Sequence, residues 1–178
     1  MANMIIERWD AARTTERADE LGRLLVDAVN GGATLGYLPP LDRDQAWAHW
    51  VEVARAVAAG PVKLLVLEQG AEIVGTVQLR EAQQPDATHR AEVAQLMVRS
   101  LHRQKGYGRR LMLAAQELAQ VQGRTTLVLD TRSGDRSERL FRALGWLKSG
   151  EVPGHTRSAD GSLHAASFFH LVLSAKPA

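Results

Sequence analysis

Arg103-Gln104-Lys105-Gly106-Tyr107-Gly108-Arg109-Arg110 places two glycines and four cations between an apolar run, Val93-Ala94-Gln95-Leu96-Met97-Val98, and a stretch in which Leu111, Ala115, Leu118 and Ala119 recur at helical spacing. Such a strand–loop–helix junction suits an anion. Gly106 and Gly108 lack a Cβ, so the turn can bend and its N–H groups can approach a ligand's oxygens. The helix behind adds unpaired N–H groups and the positive end of its dipole, which together suit a diphosphate. Four cations there oppose that dipole unless an anion is bound. The plainer alternative is a solvated basic turn that opens a helix.

Two familiar phosphate loops do not fit. A dinucleotide fingerprint needs a third glycine where Leu111 stands, and the G-K-[ST] of a Walker A loop occurs nowhere in the chain. The pattern R-x-x-G-x-G formed by Arg103, Gly106 and Gly108 instead resembles the coenzyme A pyrophosphate signature of the GCN5-related N-acetyltransferase (GNAT) family. That resemblance implies acetyl-CoA as cosubstrate, with Arg103, Gln104, Lys105, Gly106, Tyr107, Gly108, Arg109 and Arg110 around its diphosphate or 3′-phosphate. It also implies that the strand before the loop splays from its neighbour, so that the amides of Leu96, Met97 and Val98 pair with the acetyl-pantetheine arm. The same three residues would equally serve as plain core.

The 178 residues are enough for one domain with a substantial core, and 45% hydrophobic with 24% charged residues is the balance of an ordinary globular protein. Lys and Arg number 22 against 20 Asp and Glu, so a net charge of +2 exerts little general pull on nucleic acid or membrane. The absence of cysteine removes disulfides, thiolate metal sites and thiol nucleophiles. Near the N-terminus Met4-Ile5-Ile6 is too short for a signal peptide's apolar core, which points to the cytoplasm. His89-x-x-Glu92 lacks further metal ligands at matching spacing, and no serine sits in G-x-S-x-G, so neither a metal site nor a hydrolase triad is expected.

Periodicity and punctuation predict a strand at residues 4–8, a helix at 16–29 capped by Thr14 or Thr15, and a helix opened by Asp42 and stopped by Gly60-Pro61. Strands follow at 63–67 and 73–79 as a hairpin and at 92–98. The glycine loop then leads into a helix ending at Gly123, a strand at 125–129, a helix at 135–144 and strands at 147–151 and 167–173. This order, β-α-α-β-β-β-α-β-α-β-β, resembles that of the GNAT family along the whole chain and implies a mixed α/β sheet splayed between its fourth and fifth strands.

Glu92 lies at even spacing from Ala94, Leu96 and Val98, so strict alternation puts its carboxylate on their sheet face. A carboxylate there can take the proton from an ammonium that must become a neutral amine before it attacks a thioester. Its structural alternative is a strand-end glutamate paired with Arg90. Asp130 closes the next strand and, with strands diverging there, can converge on the same amine; its alternative is a cap for Ser133-Gly134-Asp135.

Arg139-Leu140-Phe141-Arg142-Ala143-Leu144-Gly145-Trp146 is similar to the family's second motif, in which a Tyr precedes the Gly-aromatic pair by four residues. Phe141 stands there instead. It can pack on the pantetheine but cannot protonate the leaving thiolate, a task left to water or another group such as Tyr107. The strings Gly31-Gly32-Ala33, Arg90-Ala91-Glu92-Val93, Gln95-Leu96-Met97-Val98, Leu129-Asp130-Thr131 and Asp160-Gly161 with Leu163-His164 resemble the tabtoxin-resistance branch, which acetylates a small amino-acid-like toxin.

Residues 30–41, 81–89 and 153–165 are then expected to surround the acetyl end and choose the acceptor. A small-molecule amine is the expected partner, by direct transfer in a ternary complex, since without cysteine no acetyl-thioenzyme can form. A peptide amine acceptor and a non-catalytic acyl-CoA-binding module stay open, as does a homodimer; the single basic cluster gives nucleic-acid binding little support.

Overall fold

A computed structural model describes residues 4–174 of the chain. Its strands are β1 (Met4–Trp9), β2 (Val62–Gln69), β3 (Glu72–Glu81), β4 (Arg90–Val98), β5 (Thr126–Arg132), β6 (Leu147–Arg157) and β7 (Leu163–Val172). Its helices are α1 (Ala11–Glu16), α2 (Ala18–Asn30), α3 (Arg43–Ala59), α4 (Tyr107–Val121) and α5 (Ser137–Ala143). The strands form one sheet ordered β1-β2-β3-β4-β5-β7-β6, in which β4 and β5 alone run parallel.

Two apolar layers follow from alternation along the inner strands. Leu64, Val66 and Ile73 face α1, α2 and α3, where Leu21, Leu25 and Ala28 form a buried helical stripe beside Trp9 and Trp50. Leu65, Leu67, Val77, Leu79 and Leu127 face the opposite way, onto Leu111, Met112 and Ala115 of α4 and Phe141 of α5. Each such Leu, fully removed from water, contributes about 1.5–3 kcal/mol. Helix ends follow the chemistry of their residues: the Asp42 side chain accepts from the Asp44 N–H at the start of α3, and Gly60 ends that helix at φ 105°.

The first helical stretch departs from expectation. Asp10, not Thr14 or Thr15, is the cap, accepting from the Arg13 N–H at 2.8 Å. Both threonines sit inside α1 and return their hydroxyls to the carbonyls of Asp10 and Ala11. Arg17 then interrupts the helix, held by Glu20 and Glu68. Residues 153–157 and 163–165, expected as loop, belong to β6 and β7. The register shift between Val152 and Thr156 takes up Pro153 and Gly154 as an irregularity, and pairing resumes at Thr156–His164.

A second irregularity moves the site itself. Gln78 pairs with Ala94 but Thr76 with Met97, so Gln95 and Leu96 together stand opposite Val77, and Gln95 takes φ 53°. This bulge inverts the alternation of β4. Leu96 and Val98 pack on the α4 side, whereas Glu92 and Ala94 share the α1–α3 side with Gln78 and Arg80. Glu92 is therefore on the face opposite to Leu96 and Val98, because strict alternation does not survive an inserted residue.

Candidate active site

β4 and β5 pair at Arg90–Thr126, Ala91–Leu127 and Glu92–Val128 and no further. Beyond that point β4 stays with β3 and β5 with β7, and the two parallel strands open into a V. Residues 93–98 of β4 therefore have one edge without a strand partner, a row of backbone donors and acceptors that needs a ligand or water. A cavity of about 790 Å³ fills the V. Its lining comes from both sides of the sheet: Met112, Leu129 and Phe141 from the α4–α5 side, and residues 31–36, Arg80, Glu92 and Asp130 from the other. The cavity thus passes through the sheet.

Glu92 stands at the last paired position of β4, and Asp130 two residues beyond its partner Val128, so both carboxylates are on one face and both line the cavity. The cation nearest Glu92 is Arg80 across the β3–β4 pair, its Nη1 3.9 Å from Oε2, and not Arg90. Leu96 lines the cavity, Met97 is buried among the α1–α3 residues, and Val98 gives its carbonyl to Arg103 Nε at 3.2 Å.

The loop is anchored at its base by Asp27 of α2, whose carboxylate accepts from Ser100 N and Oγ, each at 2.7 Å. Gln104 at φ 62° and Gly106 at φ 79° make the turn, and Gly106 is the residue before the first turn of α4. Arg103 reaches across to Gly31 and lines the cavity mouth. Lys105 and Arg109 are exposed and pair with no described residue, while Arg110 lies against Met4 Sδ on β1. The four cations therefore do not form one cluster. Tyr107 packs on the α4-side core near His102.

Gly108 lies in the first turn of α4, facing α5 and the end of β4. A Cβ there would stand 3.4 Å from Leu140 Cδ2 and 3.9 Å from Val98 Cγ2, ordinary contact distances, so neither side chain demands a glycine at this position. Phe141, 5% exposed, packs on Phe169 and Trp146 and lines the cavity. Among the expected specificity segments, 31–36 lines the cavity. Residues 82–89 sit instead at the closed end of the V, where the Thr125 N–H bonds the His89 carbonyl; 153–165 does not line the cavity, and its His155 packs on Phe168, the strand partner of Asp130.

A family model described as Acetyltransferase (GNAT) family matches residues 25–146. The chain belongs to that family. Its fold is also that of solved GNAT-type structures: a putative acetyltransferase from Salmonella typhimurium described with its cofactor acetyl-CoA (22% identity, TM-score 0.79, 99% of this chain and 98% of that one). A ribosomal-protein-alanine N-acetyltransferase from Brucella melitensis is similar at 21% identity and TM-score 0.75, over 95% and 99% of the two chains. A putative phosphinothricin N-acetyltransferase is similar at 15% identity and TM-score 0.79, over 97% and 99%.

GNAT enzymes take the acetyl group from acetyl-CoA, and the free edge of β4 fits the amide-bearing arm of such a molecule. Several polar groups near this GNAT cavity carry no sequence motif. Gln95 donates to the Leu35 carbonyl and ties the bulge to the 31–36 loop. Gln78, 1% exposed, accepts from Arg80 Nε at 3.1 Å. His49 bonds Tyr37 Oη through Nδ1, and burial, helped by the Arg80 charge, lowers its pKa to about 4, leaving it neutral at pH 7. Asp135, at the entrance to α5, has its pKa raised chiefly by burial, and Ser137 Oγ meets Thr131 Oγ1 at 2.9 Å.

Proposed function

We propose that this GNAT protein is an acetyl-CoA-dependent N-acetyltransferase that passes acetyl directly to the amine of a small molecule while both are bound. The observation that carries this is the cavity through the sheet, with an unpaired strand edge for one substrate and two carboxylates on the face open to the other. Glu92 takes a proton from the acceptor's ammonium, directly or through water, and Asp130 holds the same ammonium in place. The neutral amine attacks the thioester carbonyl; the C–N bond forms, the C–S bond breaks, and the proton the nitrogen then sheds passes through water to the departing thiolate. Phe141 packs beside that thiolate and cannot donate to it.

A solved fold neighbour described with acetyl-CoA, and another described as a putative phosphinothricin N-acetyltransferase, support cosubstrate and acceptor class respectively. An enzyme with this cosubstrate would work in the cytoplasm. Calorimetric titration with acetyl-CoA, followed by thiol release across small amines and peptides, tests the proposal. Saturable binding and intersecting initial-rate lines with a small amine are expected. Binding without thiol release would instead make the chain an acyl-CoA-binding module, and turnover with peptides alone would move the acceptor to a protein terminus.

A further inference from the structure

Arg80 is the cation that β3 brings to the cavity beside Glu92, and its guanidinium is only partly used. Nε donates to Gln78 Oε1 at 3.1 Å, an oxygen supplied from a side chain that is itself buried. Neither Nη atom donates to a described residue, and the Glu92 carboxylate stands off at 3.9 Å. The arginines that serve the fold are engaged far more closely: Arg13 reaches Glu68 at 2.6 Å and Arg124 reaches Glu81 at 3.0 Å. Arg80 is thus oriented by Gln78, lines the cavity, and presents a planar pair of unused donors beside the base.

Across the floor the order is cation, anion, anion: Arg80 on β3, Glu92 on β4, Asp130 on β5. Adjacent strands lie about 4.8 Å apart, so charges of opposite sign sit one strand apart. A simple amine would satisfy the carboxylates and leave Arg80 unused. We propose that the acceptor is a zwitterion, an α-amino acid or a close analogue, whose ammonium faces Glu92 and Asp130 and whose carboxylate takes both Nη donors of Arg80. The planar guanidinium suits such a two-point contact. Arg80 is then the residue that sets specificity. This inference rests on the N-acetyltransferase proposal.

The test pairs the common amino acids with their decarboxylated amines. Each is titrated calorimetrically into protein saturated with coenzyme A, and each is assayed by thiol release with acetyl-CoA. For at least one pair the amino acid should bind and react about ten- to a hundredfold better than its amine, the range of a charge-assisted contact. In Arg80→Gln that ratio should fall to near one, through Kd and KM more than kcat, and Arg80→Lys should restore part of it. Equal use of both members of every pair, or a ratio unchanged in Arg80→Gln, overturns the inference while leaving an N-acetyltransferase. Absence of any amino-acid binding overturns it too. Failure to bind acetyl-CoA or to acetylate any amine removes the underlying proposal instead.

Discussion

In the proposed function the two sides of the V recognise by different means. On the side of the loop and α4, the polar groups offered to a ligand are mostly main chain, the unpaired edge of β4 and a turn set by Gln104 and Gly106, with Arg103 across the mouth and Met112 and Phe141 as apolar wall. On the side of α1–α3 it meets side chains delivered from three strands: Arg80, Glu92 and Asp130, backed by Gln78 and His49. Main-chain recognition tolerates changes of side chain, so it suits a molecule common to a family. Side-chain recognition can be rewritten at single positions, as suits an acceptor that differs from one member to the next.

The largest expected effect separates the two sides. Glu92→Gln should keep acetyl-CoA affinity and lower turnover about 10²- to 10⁴-fold near neutral pH, the range for loss of a general base. The deficit should shrink at high pH, where the amine is already neutral. A fully active variant at neutral pH would make Glu92 structural and break the division.

His49 gives the next effect, confined to the acceptor side. Its folded pKa of about 4 lies below the ordinary 6.5. The unfolded chain therefore takes up the proton first, and the contribution of neutral His49 is complete above pH 6.5 and lost as pH falls towards 4. Acid should cost about 3 kcal/mol by this route. In His49→Asn, which keeps an acceptor for Tyr37, urea unfolding should lack that part of the pH slope; an unchanged slope would assign it to other groups.

The smallest effect dissects the basic loop. Arg103→Ala should weaken acetyl-CoA binding several-fold, more at low salt because an exposed cation acts through screened attraction. Arg110→Ala, which removes a side chain lying against Met4, should leave the affinity as it was. Equal losses at both positions would show one undivided cationic cluster and blunt the contrast.

The main-chain side was the more legible in the sequence, since Gly106 and the apolar runs around it state a strand, a turn and a helix locally. The acceptor side was harder to read. Glu92 and Asp130 stand out as strand carboxylates, but the face of Glu92 depends on the bulge at Gln95, which no residue type announces. Thr76, Gln78 and Arg80 do leave a signal, a polar stripe alternating with Val77 and Leu79. It gains meaning only when β3 is seen beside β4 over a cavity. The neighbour of Gly108, Leu140, comes from a helix 32 positions along the chain, which local spacing does not announce.

In the proposed binding mode the open edge of β4 and the loop behind it hold acetyl-CoA by their main chain. Amide hydrogen exchange with and without coenzyme A reads this edge residue by residue. Exchange should slow at residues 93–98 and 104–110, with little change at the separate hollow of about 720 Å³ between residues 8–13 and 57–63. Unaltered exchange along β4 under saturating coenzyme A, or protection centred on that other hollow, would contradict the claim.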